Sequence, residues 1–350
     1  MSWRTCRLGD VLTLKRGHDL PEHSRQEGDV PVVSSSGITG RHKEAKAMAP
    51  GVVTGRYGTI GEVFYLEEDY WPLNTALYVI DFKGNDPRFS AYLLRNVLKG
   101  YQSEKAAVPG VDRNVLHEIK VKAPSHDLQL RIVDILSTYD DLIENNCRRM
   151  ALLEESARLL YREWFVRLRF PGYEHTPVVD GVPQGWERKT LGDSITLNYG
   201  KALKAEIRVE GDYPVYGSSG IVGTHETPLV QGPAIILGRK GNVGSVYWSS
   251  KSFFPIDTVY FVSPESSSLY LFYALKNMHF ISTDVAVPGL NRDFAYSRPL
   301  LHPPVTLLRS FHETIESIHA QLDKLEEVNQ KLRTARDLLL PRLMSGELSV

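Results

Sequence analysis

The sequence predicts an α+β protein: two similar β-rich domains separated by two long helices that pair as an antiparallel coiled coil, related by a pseudo-two-fold axis. Three observations carry that expectation: a duplication running through most of the chain, a stretch without Gly or Pro between the copies, and a second such stretch after the later copy. LGDVLTLKRG (Leu8 to Gly17) returns as LGDSITLNYG (Leu191 to Gly200), and EGDVPVVSSSGITG (Glu27 to Gly40) as EGDYPVYGSSGIVG (Glu210 to Gly223). GRYGTIG (Gly55 to Gly61) returns as GRKGNVG (Gly238 to Gly244), and WPLNT (Trp71 to Thr75) as FPIDT (Phe254 to Thr258). These matches share one offset, and AAVPGVDRN (Ala106 to Asn114) returns as VAVPGLNRD (Val285 to Asp293) after a four-residue deletion. Chance does not produce such a series.

Residues 1–124 form the first domain. Short apolar runs punctuated by Gly and Pro read as strands at Val11 to Leu14, Val30 to Val33, Val52 to Val53, Val63 to Leu66 and Leu77 to Phe82, with a helix over Pro87 to Leu98. Residues 125–169 form the central helix, capped by Ser125. Its apolar positions Leu128, Ile132, Ile135, Tyr139 and Leu142 step by four and three toward Asn146, which is a coiled-coil seam. At about 1.5 Å per residue this helix spans roughly 65 Å and holds two things apart. The proline- and glycine-rich residues 170–186 read as a linker, and residues 187–304 repeat the first domain. Residues 305–350 are the second long helix and its tail; Phe311, Ile315, Ile318, Leu322, Leu325 and Leu332 hold a heptad with Asn329 in the seam, and Pro341 is expected to stop the helix. A seam asparagine fixes register or marks the end of pairing, and the sequence leaves both open.

With 350 residues, 42% hydrophobic, the chain has room for two cores. Lys plus Arg (41) balance Asp plus Glu (42), so no global basic field exists and any nucleic-acid contact must be local. Cys6 and Cys147 occupy non-equivalent places, which disfavours a disulfide or metal site. The N-terminal MSWRTCRLGD lacks the apolar core of a signal peptide, so a cytoplasmic location is expected.

Catalysis has no evident home. Asp112, Glu118 and Lys120 imitate a nuclease set, but their counterparts Asn291, Ser297 and Pro299 cannot bind metal in the same way. HETIE (His312 to Glu316) lacks the second zinc-protease histidine, and no Asn-Pro-Pro-Tyr segment marks an amino-methyltransferase. The glycine turns match no nucleotide-binding loop. They read either as plain turns between strands or as turns presenting Arg56 and Tyr57, and Arg239 and Lys240, to a phosphate or base edge. Basic and polar residues gather in equivalent loops of the two copies: Lys15, Arg16, His18, Ser35, Ser36, Arg41 and Lys43 in the first, Lys201, Lys204, Ser218 and Ser219 in the second. The shared Val-Pro-Gly segments with Arg113 and Arg292 read as structural turns against the base of each helix, in preference to DNA contacts.

Taken together, the two VPG-x-x-R segments, LLYREWFVRLRFPG (Leu159 to Gly172), PQGWERKTLGD (Pro183 to Asp193) and LRTARDLLLPRLMSGEL (Leu332 to Leu348) resemble the specificity subunit of type I restriction–modification systems over essentially the whole chain. The helix starts, APSHDLQLRI and PPVTLLRSF, depart from the family's proline-rich Glu-Gln pattern. The resemblance implies a non-catalytic subunit whose two domains are target-recognition domains, each reading one half of an interrupted, asymmetric DNA site. It implies two adenine methyltransferase subunits using S-adenosylmethionine, and motor-nuclease subunits using ATP and Mg2+, as partners, with no cofactor on this chain. The alternative is a pseudo-symmetric coiled-coil scaffold or adaptor that does not read DNA.

Overall fold

The computed structural model describes residues 3–57, 61–99, 101, 110–280 and 289–350. Two compact units emerge, one of residues 1–145 with 328–350, the other of residues 146–327, so each long helix contributes to both.

In the first unit, strands β1 (Trp3–Arg7), β2 (Thr13–Arg16), β3 (Val30–Ser34), β4 (Gly37–His42), β5 (Gly51–Gly55), β6 (Val63–Leu66), β7 (Trp71–Pro72) and β8 (Ala76–Asp81) precede helix α1 (Pro87–Lys99), helix α2 (Arg113–Glu118) and strand β9 (Lys120–Pro124). An antiparallel sheet of order β2-β8-β5-β6 forms the middle layer. Its strands are apolar on both faces, as their unbroken runs suggest. Val52, Leu77 and Val79 face α1, meeting Phe89, Tyr92 and Leu93, while Val53, Ala76 and Tyr78 face Val33 and Tyr70 of the opposite layer. That layer is the sheet β4-β3-β7, in which β3 and β7 run parallel. Strands β1 and β9 pair antiparallel, Trp3 opposite Pro124 and Arg7 opposite Lys120, and the chain passes directly into helix α3 (His126–Tyr161). The first helical bonds, from Leu128 and Gln129, go to the backbone carbonyl of Ser125.

The unit is closed by segments distant in sequence. Buried Gln129 donates to Asn85 (2.8 Å) and to the Pro124 carbonyl, and accepts from the Asp86 N–H, tying α3 to the start of α1. Leu128, Ile132 and Leu136 share the core with Leu340, Leu343 and Met344 of helix α6 (Val305–Ser345). Early α3 therefore lies beside late α6.

The second unit repeats this plan. After β10 (Val178–Val179) and β11 (Val182–Pro183) come β12 (Glu187–Thr190), β13 (Leu197–Tyr199), β14 (Tyr213–Gly217), β15 (Gly220–His225), β16 (Ala234–Gly238), β17 (Val246–Ser249), β18 (Phe254–Pro255) and β19 (Val259–Val262). Helices α4 (Leu269–Asn277) and α5 (Arg292–Tyr296) and strand β20 (Pro299–His302) follow. The sheets are β13-β19-β16-β17, β15-β14-β18 and β12-β20, the same connections as in the first unit. Here late α3 meets early α6 through rings: Phe165 lies 4.9 Å from Phe311 and 4.8 Å from Tyr270 between ring centroids.

Four expectations change. The central helix is α-helical only to Tyr161; Arg162–Val166 form a π-helical turn in which the Arg167 N–H bonds the Arg162 carbonyl, and Leu168 takes a positive φ. Residues 170–186 are an ordered connection, with a small β10–β11 hairpin and with Phe170 and Trp186 buried in the second core. Leu142 is exposed at 46%, and burial instead follows Ile132, Leu136, Tyr139, Ile143 and Asn146, so the seam keeps the four-three step in a different phase; Ile135 is half-buried. Pro341 does not end α6, which runs to Ser345. Proline removes one helical N–H, but burial of Leu340, Leu343 and Met344 around it outweighs that loss. On α6 the expected positions Phe311, Ile315, Leu325 and Asn329 are buried, with Ile318 and Leu322 half-buried.

Candidate nucleic-acid interface

The glycine turn of each repeat is bound to the last residue of the Trp71–Thr75 or Phe254–Thr258 segment. Arg56 N–H donates to the Thr75 carbonyl at 2.9 Å; Arg239 and Lys240 N–H donate to Thr258 at 2.9 and 3.0 Å. Residues 58–60 of the first turn lie outside the described residues, whereas GRKGNVG is described throughout and links β16 to β17. Gly241 and Gly244 there adopt φ +77° and +78°, a region that favours glycine. The turn joins strands, and it carries Arg239 half-buried and Lys240 exposed beside the sheet.

The Val-Pro-Gly segments, of which residues 106–109 and 285–288 lie outside the described residues, end on these turns. Gly110 bridges Tyr57 and Gly289 bridges Lys240, while Val111 and Leu290 N–H donate to the carbonyls of Arg56 and Arg239. Asp112 then caps α2 by accepting from Asn114 N–H at 2.9 Å, and Asn291 caps α5 by accepting from Asp293 and Phe294. As first helical residues, Arg113 and Arg292 are thereby delivered beside the glycine turns. The sequence had them bracing the long helices; their alignment with each other was visible, but not their neighbour.

In the first repeat a hollow of about 310 Å³ brings together Arg16, Arg56 and Arg113, with Tyr57, Leu77 and Asp112. Arg56 rests over Tyr57 at 4.7 Å. In the second repeat Tyr199 stands where Arg16 does, since Arg16 pairs with Leu77 across β2–β8 and Tyr199 with Tyr260 across β13–β19. Arg239 lies over Tyr199 at 4.9 Å and Tyr260 at 5.7 Å; Arg292 lies over Tyr199 at 5.3 Å and Tyr296 at 5.9 Å. Burial pushes the Tyr260 hydroxyl up to about 12, so it stays protonated and donates to the Leu290 carbonyl. His117 and Tyr296 serve their repeats alike, accepting the N–H of Leu14 and Leu197 at 2.9 Å. Burial lowers the His117 pKa, in keeping with a neutral acceptor.

The remaining sequence candidates separate into groups. Lys15 leaves β2 on the face opposite Arg16 and approaches His18, whose Nε2 is 3.3 Å from Tyr78 Oη. Burial, then the charges of Lys15 and Lys46, lower the His18 pKa. Lys46, which the sequence reading missed, sits 5.0 Å over the Trp71 ring, and the indole N–H of Trp71 is buried without an acceptor among the described residues. Ser35 and Ser36 form the β3–β4 turn, where Ser36 bonds the buried Ser34 hydroxyl. The corresponding Ser218–Ser219 turn is tied to GRKGNVG: the Ser218 carbonyl accepts from Ser245 at 2.6 Å and Tyr247 at 3.1 Å. Lys201 and Lys204 are exposed on the loop after β13, Lys201 N–H bonding the Pro255 carbonyl. Arg41 and Lys43 lie at the open end of the β3–β4 hairpin, roughly 15 Å along the strand from its turn. Arg41 donates to the Asp29 carbonyl and Lys43 faces Glu44, so these two are not brought to the hollow.

The imitation nuclease set does not converge either: Asp112 is a helix cap, and Glu118 pairs with Arg7 at 2.8 Å. Among the described residues there is no cluster of His, Cys, Asp or Glu suited to a metal ion, and no helix long and apolar enough to cross a membrane.

The family model for the type I restriction modification DNA specificity domain matches residues 1–155 and again 183–294. The chain is 24% identical to the type I restriction enzyme MjaIX specificity subunit of Methanocaldococcus jannaschii, over 69% of this chain and 63% of that protein, so the match spans somewhat less than two thirds of that relative's length. It is 22% identical to the HindI specificity subunit of Haemophilus influenzae, over 71% of this chain and 73% of the relative. The crystal structure of a type I restriction–modification S subunit from M. genitalium shares the fold, with a TM-score of 0.56 at 19% identity, covering 98% of this chain and 96% of that one. With the family model matched in both repeats, the chain belongs to the type I restriction–modification DNA specificity family.

Proposed function

We propose that this chain is the DNA-specificity subunit of a type I restriction–modification complex, and that its two units are target-recognition domains reading the two halves of an interrupted site. The observation that carries this reading is the duplicated arginine site: Arg56 with Arg113, and Arg239 with Arg292, delivered to equivalent edges of two equivalent sheets. Arginine forks suit both base edges and phosphates. Lys15, His18, Lys46, the serine turns and Lys201 extend each surface toward the duplex, and the continuous helix α3 sets the gap between half-sites.

The chain itself carries out no reaction and binds no cofactor. Methylation belongs to two adenine methyltransferase subunits with S-adenosylmethionine, cleavage to motor-nuclease subunits with ATP and Mg2+. Replacing Arg239 and Lys240 by Ala should relax recognition at one half-site only, by about 1–3 kcal/mol for a lost base contact. Mapping the sites methylated by the reconstituted complex measures this. Equal loss at both halves would mean general phosphate binding and would remove the assignment of one half-site to each unit.

A further inference from the structure

We propose that the hollow formed by Arg16, Arg56 and Arg113 is a clamp for one phosphodiester of the DNA backbone, present in the first repeat and converted to a different surface in the second. The inference rests on the DNA reading above and deepens it.

Three arginines line a space of about 310 Å³, and among the described residues none of them forms an ion pair with a carboxylate. The acid lining the hollow, Asp112, is occupied by the Asn114 N–H. Arg56 lies over the Tyr57 ring, a cation–π contact that still lets guanidinium N–H groups donate. Three guanidinium charges against the single Asp112 carboxylate leave the hollow net positive, and a net positive hollow calls for an anion. A guanine edge offers two acceptors to one arginine fork and carries no charge, so it would leave that net positive charge in place. A phosphodiester carries the charge and presents two unesterified oxygens, each able to accept from more than one fork.

The second repeat supplies the contrast. Tyr199 replaces Arg16, and the guanidiniums of Arg239 and Arg292 stack within 5.3 Å of its ring centre. Arg239 also donates to the Asp257 carbonyl at 3.0 Å. Ring faces partly offset the positive charge there, and one cation fewer is present.

The experiment uses the chain assembled with its methyltransferase subunits and a cognate duplex. Duplexes carrying a single neutral methylphosphonate are scanned across the first half-site. At one position the neutral linkage should weaken the wild-type complex roughly tenfold at about 0.1 M salt, yet leave the Arg16→Tyr complex unchanged. Arg16→Tyr should also lower the slope of log affinity against log salt by about 0.9, with base preference retained, and Arg16→Lys should restore the slope. Methylphosphonate effects identical in wild type and Arg16→Tyr would overturn the clamp. So would a base substitution, in place of a methylphosphonate, whose penalty disappears in Arg16→Tyr, since that is a base reader. Loss of inorganic-phosphate binding in Arg16→Tyr without any methylphosphonate dependence would assign the hollow to a free anion and equally defeat the proposal. Were the complex indifferent to sequence in both half-sites, the specificity reading would fall separately, because the methylphosphonate cycle still scores the clamp on any duplex.

Discussion

Each unit fastens its small domain helix to the long helices through a buried tyrosine hydroxyl, and the two units use opposite chemistry to receive it. In the first, Tyr92 donates to Asp140 at 2.6 Å, and Asp140 also pairs with Arg336 of α6 at 2.5 Å, while Arg88 pairs with Asp141. In the second, Tyr273 Oη lies 2.9 Å from His319 Nε2 of α6, within a shell of Trp248 and Phe272. Charge holds the first joint and rings hold the second. Elsewhere the repeats keep their polar partners: His42 and His225 each accept a backbone N–H, and Arg25 and Arg208 each donate to a strand carbonyl, those of Thr39 and Val222. A duplicated fold thus retains the groups that satisfy its own backbone, and lets a side-chain joint drift as long as each tyrosine hydroxyl there finds a partner.

The largest test of that difference lies in the ring joint. Phe311 is fully buried against Tyr161, Trp164 and Phe165, so Phe311→Ala should cost about 3–5 kcal/mol and lower amide-exchange protection over Leu269–Asn277. Protection over Pro87–Lys99 should stay near wild type; equal loss in both helices would mean that the joints are not independent.

Asp140→Asn addresses the charged joint. It leaves Arg336, whose side chain is 16% exposed, with Asp337 alone, and weakens the acceptor of Tyr92. Because both partners are partly solvated, a cost of about 2–3 kcal/mol is expected, confined to the first unit and read by exchange over Pro87–Lys99. A change under about 0.5 kcal/mol would show that packing, not charge, holds this joint.

The smallest effect is a pH dependence of the second unit. Burial lowers the His319 pKa to about 4. The unfolded chain takes up its proton near pH 6.5 while the folded chain resists until about pH 4, so this stability is present above pH 6.5 and lost as pH falls toward 4. Between about pH 7.5 and pH 5 the loss should reach about 2 kcal/mol. Urea midpoints followed by tryptophan fluorescence should show a shallower pH dependence in His319→Gln than in wild type. Parallel curves would mean that the proton is taken up elsewhere.

The sequence displayed the duplication, the strands and both long helices, because each rests on patterns local in the chain: apolar runs between turn residues, and four-three spacing free of Gly and Pro. It did not display the pairing of Trp3–Arg7 with Lys120–Pro124: Trp3–Arg7 carries no alternation, Lys120–Pro124 is short, and the partners are over a hundred residues apart. The arginine site was half legible. Arg16, Arg56 and Arg239 stood out as basic residues in repeated loops, but Arg113 and Arg292 acquire their position only when Gly110 and Gly289 bridge to the glycine turns. Tyr199 carries no such signal, because only the fold brings Arg239 and Arg292 onto its ring. Pro341 misled in the opposite direction: a local rule forbade a helix that tertiary burial of Leu340 and Leu343 sustains.

That extension of α6 has a consequence for the order in which the molecule is made. The core of the first unit includes Leu340, Leu343 and Met344, and Gly346 sits against Trp3. A ribosome must therefore deliver the last turns of α6 before the domain it began with can close, whereas residues 146–327 are contiguous and complete earlier. The later repeat is free to fold first, while the first waits with Leu128, Ile132 and Leu136 of α3 short of the partners that late α6 supplies. Released chains truncated after residue 327 should accordingly protect the second repeat from protease and leave the first open to cleavage.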